Sequence, residues 1–471
     1  MRARSMGEWS TTGRRRSVRY SIETSCALPR YTPVGRFKIL RAETCINCGR
    51  CAKQCIYDVH RRRADDIRLM DEPQDHLCKN CYRCIQECPT RSLSKIINPE
   101  YTRLGDECWT PEIIASTWLQ AETGRIPVLG AGYRGPFSGP GFDSMWTDMS
   151  EIVRPTRDGI HGREYIHTGI DIGRKPDHLE FDRMGHLTTV LPPTVHLPVP
   201  VLFGPVSRDI YGKNVMEAVC LAAHTLDTFF VFNPGDWTSG FNPYLPMGVP
   251  RLDGDLEKAQ HFIEGATMVE ISYSDHWPQT IERIRAVKSD IIIAVALPFQ
   301  PDADRMVERL VAGTVDVVHL MADDHGRASR IPGRPFLKDT LQWIHLHLVR
   351  KAIRDRVTLL VSGGIAAAEH IPKAIISGAD GVMITKPLLI GLECLVCREC
   401  GLPDECPRQI PDIDSEWGAA RMVNLVAAWQ NQLLEVLGAM GLREVSRLRG
   451  ETGRALYFDQ LEREVFQETA P

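Results

Sequence analysis

The chain has 471 residues, of which 43% are hydrophobic and 25% charged, and its formal net charge is −4. This composition is typical of a globular protein with more than one domain. The acidic balance argues against a nucleic-acid partner, whose binding site would be basic. No stretch approaches the roughly 18 apolar residues of a membrane span. No apolar segment follows the arginine run at 14–16, so we predict a flexible tail over residues 1–35 and a cytoplasmic location.

The fifteen cysteines are unevenly distributed, because twelve of them fall into three tight groups. Without an export signal, grouped cysteines indicate metal ligands and not a disulfide framework. Cys26, Cys108 and Cys220 stand alone, and we predict no role for them beyond that of small hydrophobic side chains.

The first two groups each have the spacing C-x2-C-x2-C-x3-C, which is typical of proteins that hold two [4Fe-4S] clusters. In such proteins three thiolates of one run and the last thiolate of the other run bind each cluster. Paired zinc sites are the alternative, since C-x2-C pairs also bind zinc. We therefore predict a small α+β ferredoxin-type domain over residues 36–98. Its predicted ligand sets are Cys45, Cys48 and Cys51 with Cys88, and Cys78, Cys81 and Cys84 with Cys55.

The third group comprises Cys394, Cys397, Cys400 and Cys406, and lies far along the chain. We predict a third iron–sulfur cluster here, with zinc as the alternative. The fourth thiolate favours [4Fe-4S], while [3Fe-4S] stays open.

Residues 99–190 are rich in loop signals, and we predict an irregular connecting segment. From 191 to 448 short apolar runs alternate with helical patterns, which indicates parallel strands buried by helices. Seven strands are recognisable, at 200–204, 228–233, 268–272, 290–297, 316–321, 358–364 and 381–385. A (β/α)8 barrel of the TIM type needs one more, so either one strand is cryptic or the sheet is open. We also predict a packing helix at 422–440 and a C-terminal tail from 449 to 471.

Ser-Gly-Gly-Ile at 362–365, Gly-Ala-Asp-Gly-Val at 378–382 and the cysteines that follow resemble the glutamate synthase family. The closest likeness is to its archaeal-type synthase domain, in which a double-cubane ferredoxin module precedes an FMN-binding barrel. Ala-Glu-Thr-Gly-Arg-Ile-Pro-Val at 121–128 and Phe-Gly-Pro-Val-Ser at 203–207 agree with that likeness. The resemblance implies that FMN is bound by Gly204, Ser207, Ser362, Gly363, Gly364, Thr385 and Lys386.

The chain also departs from the family at two places. Ala294 stands where the family has a lysine beside the flavin on what we count as the fourth strand. The loop at 321–329 replaces a glycine-rich loop that shapes the substrate site, and it offers Asp324 and His325 as candidate catalytic residues for proton transfer, or as ordinary polar residues of a loop.

The resemblance implies an oxidoreductase that passes electrons from a ferredoxin or a reductase subunit through iron–sulfur clusters to FMN. The substrate would be a small imine such as 2-iminoglutarate. Too few residues precede Cys45 for a glutaminase domain, so a separate amidotransferase or ammonia-supplying subunit is a further expected partner. The alternative is a non-catalytic electron-relay subunit of a larger redox complex.

Overall fold

The computed structural model describes residues 21–126, 139–148, 166–254, 256–300, 302–328, 335–397, 406–458, 461 and 465. The N-terminal module is built on two antiparallel strands, β1 (Phe37–Arg41) and β2 (Leu93–Ile97). Between them lie the short helices α1 (Arg50–Gln54) and α2 (Arg83–Gln86), each within one cysteine run. The strands thus bring the two ends of the module together, as expected for a small α+β domain.

Helices and strands interrupt the segment at 99–190, for which we predicted irregular structure. After α3 (Pro99–Thr102), α4 (Pro111–Thr123) begins at Thr110, whose hydroxyl caps Ile113 N–H, and ends at Gly124 in the left-handed conformation. The segment continues with β3 (Met145–Thr147) and the hairpin of β4 (Ile170–Gly173) and β5 (Thr194–Leu197). That hairpin closes the N-terminal end of the barrel, where Thr358 Oγ1 donates a hydrogen bond to Gly173 O at 2.8 Å.

The main domain is a closed parallel barrel, which confirms the predicted fold. Neighbouring strands pair in chain order, and the last pairs with the first. A parallel bridge between Arg251 and Glu270 joins the third strand to the fourth. The strands are β6 (Val201–Phe203), β7 (Phe230–Phe232), β8 (Gly248–Pro250), β9 (Met268–Ser272), β10 (Ile292–Pro298), β11 (Val317–Met321), β12 (Thr358–Ser362) and β13 (Gly381–Ile384).

The cryptic strand is β8, whose three residues Gly-Val-Pro are too few to show an apolar run. Its presence raises the number of every later barrel strand by one. Ala294 therefore lies on the fifth barrel strand and not on the fourth. Ser362 ends the seventh strand and Thr385 follows the eighth, which are the strand ends where barrels of this kind commonly bind phosphate.

Helices cover the barrel, and the predicted helix at 422–440 is confirmed within the longest of them. It begins earlier, at Ser415, because Asp414 Oδ1 accepts a hydrogen bond from Trp417 N–H at 2.7 Å. The remaining elements are α5 (Arg208–Tyr211), α6 (Lys213–Leu226), α7 (Gln260–Gly265), α8 (Trp277–Val287), α9 (Ala303–Ala312), α10 (Leu337–Arg350), α11 (His370–Ile376), α12 (Lys386–Gly391), α13 (Ser415–Ala439) and β14 (Ala455–Tyr457). Helix α13 packs on α4 and α6, and β14 pairs with β3.

The predicted tail at 1–35 is only partly in agreement with the structure, and its residues 1–20 lie outside the described part. Residues 21–35 run along the barrel, where buried Arg421 donates to Ala27 O at 2.9 Å and Asn424 Nδ2 donates to Ser25 O at 2.6 Å. These polar groups of α13 anchor the segment through its backbone. Among the described helices, none combines the length and apolar character needed to cross a bilayer.

Candidate functional site

Four cysteines line an open cavity in the N-terminal module, whose empty space of about 350 Å³ includes open solvent. Cys78, Cys81 and Cys84 come from the second run, whereas Cys55 is the last cysteine of the first run. Burial, followed by the charges of the other three cysteines, raises the pKa of Cys84 to about 11. Four convergent sulfur donors in this crossed order are the donor set that a [4Fe-4S] cluster requires. The residues therefore fit the predicted second ligand set.

The first predicted set consists of Cys45, Cys48, Cys51 and Cys88. Cys51 is buried in the small core of the module, and Cys88 packs against the same core. Burial raises the pKa of Cys51, and the nearby Cys45 adds to this effect. Members of both predicted sets thus lie on one compact core.

The third cysteine group lies beside the barrel. Cys394 follows α12 closely, and both Cys394 and Cys406 pack against the barrel core. Cys397 is described as well, whereas Cys400 lies outside the described residues. Gly105 N–H donates to Leu395 O at 3.1 Å. The chain leaving the N-terminal module therefore contacts the segment that carries the third cysteine group.

The residues predicted to bind FMN meet in one sector of the barrel mouth, because β6, β12 and β13 are neighbours in the sheet. Gly204 follows β6, and a Cβ atom on it would lie 2.2 Å from Thr385 Oγ1 after β13. Ser207 lies in the same loop as Gly204, immediately before α5. The missing side chain at 204 lets the two strand ends approach closely, which fits a group bound across them.

The glycines that follow Ser362 are required by a contact within the protein. Gly363 and Gly364 have positive φ angles of 93° and 69°. A Cβ atom on Gly363 would lie 2.3 Å from Asp323 O, and one on Gly364 would lie 2.6 Å from Gly326 Cα. The close approach of the loop at 322–326 thus accounts for both glycines, and any contact with a phosphate would be additional.

A chain of polar side chains runs through the barrel interior and was not predicted. Ser362 Oγ lies 2.8 Å from His319 Nε2, and His319 Nδ1 lies 2.7 Å from Glu270 Oε2. Arg251 Nε donates to Glu270 Oε1 at 2.8 Å. His319 and Glu270 are each only 1% exposed. Because barrel interiors are normally filled by Val, Ile and Leu, this Arg251–Glu270–His319–Ser362 relay is a candidate functional site.

Two alanines make the relay possible. On β10, Ala294 is in register with Glu270 and Ala296 is in register with His319. Residues in register on adjacent strands point to the same face, so the two small side chains lie between Glu270 on β9 and His319 on β11. Ala294 occupies the position at which the family resemblance places a lysine. The loss of that lysine therefore coincides with a contact across β10 that a long side chain would obstruct.

The ionisation of Glu270 determines which ring nitrogen of His319 donates to it. Burial disfavours the charged form of Glu270, but His319 and Arg251 outweigh this effect and lower its pKa below the usual value. The ionised carboxylate can only accept hydrogen bonds, so His319 Nδ1–H donates to it. When the ring carries only that proton, Nε2 accepts a hydrogen bond from the Ser362 hydroxyl. This serine–histidine–carboxylate order can hold and move a proton at Ser362 Oγ.

The side chains of Asp324 and His325, which we predicted as catalytic residues, contact different partners in the structure. His325 Nε2 lies 2.9 Å from Asp106 Oδ2, and Asp324 Oδ2 lies 2.5 Å from Lys386 Nζ. Asp323 Oδ1 accepts the N–H of His325 and so shapes the turn. The carboxylate partner of His325 thus comes from the connecting segment. It could not be predicted from the sequence, because the two residues lie far apart in the chain. Lys386, predicted for FMN, already has an acidic partner.

The family described as a conserved region in glutamate synthase matches residues 256–443. The archaeal-type glutamate synthase (NADPH) of Dehalococcoides mccartyi is 27% identical over 87% of this chain and 92% of its own length. The archaeal glutamate synthase (NADPH) of Methanocaldococcus jannaschii is 25% identical over 91% and 96%. A mandelate oxidase mutant with a monooxide FMN adduct covers 74% of this chain at 14% identity, with a TM-score of 0.43, which is too low to support an inference. The sequence matches bear out the prediction of an oxidoreductase of the glutamate synthase type.

Proposed function

We propose that this chain is an iron–sulfur flavoprotein that reduces an imine such as 2-iminoglutarate. Electrons would enter from a ferredoxin or a reductase subunit at residues 36–98 and leave at the barrel of residues 191–448. The observation that carries the proposal is the cavity formed by Cys55, Cys78, Cys81 and Cys84, on the same chain as a closed barrel whose interior holds a polar relay that ends at Ser362. Relatives named glutamate synthase over most of the chain support it.

FMN is the group that best fits the barrel mouth. Gly204, Ser207, Ser362 and Thr385 would surround it from three adjacent strand ends. The amides at Gly363 and Gly364 would face its phosphate, as is usual after the seventh barrel strand. When bound, FMN would supply the conversion of single electrons into a hydride.

The protein itself would supply a proton at Ser362 Oγ. Glu270 orients the His319 ring and Arg251 holds Glu270, so the serine hydroxyl faces a ring nitrogen of defined tautomer. Glu270 and His319 are shielded from water within the barrel, which strengthens their electrostatic interaction. Reduction of an imine and release of an amine both require controlled protonation of the nitrogen, and this arrangement can provide it.

The third cysteine group would lie on the electron path. Its segment contacts Gly105, and Asp106 in turn contacts His325 at the barrel mouth. A cluster at Cys394, Cys397, Cys400 and Cys406 would therefore connect the N-terminal module with the barrel, as [4Fe-4S] or [3Fe-4S].

A second candidate function is that of a non-catalytic electron-relay subunit. Ala294 favours it, because the family resemblance places a flavin-contacting lysine at that position. This candidate predicts normal iron and sulfide content without stoichiometric FMN.

Anaerobic purification of the full chain, followed by a count of iron, sulfide and FMN, separates the two candidates. The reductase should contain FMN and should form glutamate from 2-oxoglutarate and ammonium when reduced ferredoxin is supplied. Glutamine with an added amidotransferase tests the expected partner. A full complement of FMN without any turnover would refute the substrate, and clusters without FMN would favour the electron-relay subunit.

A further inference from the structure

His60 is a buried histidine whose ring has no hydrogen-bond partner within the described residues. His60 is 2% exposed, and neither Nδ1 nor Nε2 has a hydrogen-bond partner among the described residues. Leaving a buried polar group unsatisfied costs the free energy of the hydration that it has lost. Such a group in a folded protein calls for an explanation, of which a bound water, an ion or a cofactor is one kind.

The ring lines the same cavity as Cys55, Cys78, Cys81 and Cys84. Burial, assisted by the charge of Arg41, lowers the pKa of His60 to about 4. The ring is thus neutral at pH 7 and has one N–H to donate. The cavity offers that N–H no oxygen acceptor among the side chains that line it, apart from the Tyr57 and Tyr82 hydroxyls.

We propose that His60 donates its ring N–H to a sulfur of the cluster held by Cys55, Cys78, Cys81 and Cys84, and thereby raises the reduction potential of this cluster. The proposal rests on the proposed function, because it requires a cluster in the cavity. Reduction adds negative charge to the cluster sulfurs, so a donor stabilises the reduced form more than the oxidised form. His60 would thereby make this cluster the electron-accepting member of the pair.

Redox titration of the anaerobically purified full chain, followed by electron paramagnetic resonance, tests this proposal. His60→Leu should lower the equilibrium constant for reduction of one cluster about tenfold, which is about 59 mV for a one-electron couple. His60→Asn keeps an N–H donor and should restore most of the shift. Tyr57→Phe changes another cavity-lining residue and should leave the potential unchanged.

The proposal is overturned if His60→Leu keeps its full iron content and both potentials stay at their wild-type values, or if Tyr57→Phe causes the same shift. Should His60→Leu fail to hold iron, the wild-type protein labelled with ¹⁵N-histidine decides. Pulsed resonance of the reduced cluster should then show a histidine nitrogen coupling, and its absence refutes the hydrogen bond. A chain that holds no cluster at all would instead refute the proposed function, together with this inference.

Discussion

Replacing Glu270 by Gln is the sharpest test of the buried relay. Glu270 accepts hydrogen bonds from two nitrogens of Arg251 and from His319 Nδ1. Gln keeps the shape but loses the charge, and it has only one acceptor oxygen. If that oxygen stays with Arg251, the amide N–H faces His319 Nδ1 and forces the ring into the other tautomer. Nε2 then becomes a donor, and the Ser362 hydroxyl loses its acceptor.

The cost to stability follows from the burial of these groups. Removing one partner of a buried ion pair costs about 3–5 kcal/mol, because the other charge is left without compensation. Arg251 is 18% exposed and can recover some hydration, so we expect a loss near the lower limit, at about 3 kcal/mol. The midpoint of urea denaturation, at an unchanged m value, measures this loss.

The exposed Glu282 on α8 provides the matched control, since Glu282→Gln should change the stability by no more than about 0.5 kcal/mol. A Glu270→Gln protein within about 1 kcal/mol of the wild type would show that the relay is not a charged network.

The same carboxylate predicts a pH dependence. The pKa of Glu270 is lower in the folded state than its ordinary value of 4.5, so the unfolded chain takes up the proton first as the pH falls. The stabilisation is fully present above pH 4.5 and is lost as the pH falls towards the lowered pKa. The difference in stability between the wild type and Glu270→Gln should therefore shrink below pH 4.5. A difference that grows as the pH falls would contradict this sign.

Three further substitutions test separate parts of the site. Ser362→Ala should lower turnover by about 10²-fold with FMN content unchanged, and loss of FMN instead would assign the hydroxyl to cofactor binding. Cys84→Ser should reduce iron and sulfide by one cluster per chain, whereas Cys220→Ser, in the buried face of α6, should keep the full content. Gly363→Ala should destabilise the protein by at least about 2 kcal/mol in urea, because its Cβ would lie 2.3 Å from a backbone oxygen at a φ of 93°. An unchanged stability in urea would mean that the loop at 322–326 moves easily to make room for the added Cβ atom.

Features that depend on neighbours in the chain were predicted well from the sequence. Seven of the eight barrel strands and the helix at 422–440 are confirmed, because apolar periodicity reflects burial of a local face. The spacing of the first eight cysteines also suggested a crossed arrangement, and the cavity shared by Cys55 and Cys84 agrees with it. The strand β8 was missed, since its pairing partners and not its own pattern make it a strand.

Contacts between distant parts of the chain arise only in the folded barrel. Glu270 and His319 each lie within an apolar strand, where an isolated polar residue does not reveal its partner. Their contact depends on the register that places Ala294 between them, and this register is a property of three strands together. Asp106 reaches His325 in the same way, from a segment that we predicted to be irregular. Side-chain chemistry and cysteine spacing could thus be predicted from the sequence, whereas the partners of these polar groups are set by the tertiary structure. The physical reason is that desolvation acts on groups that meet in space, wherever they lie in the chain.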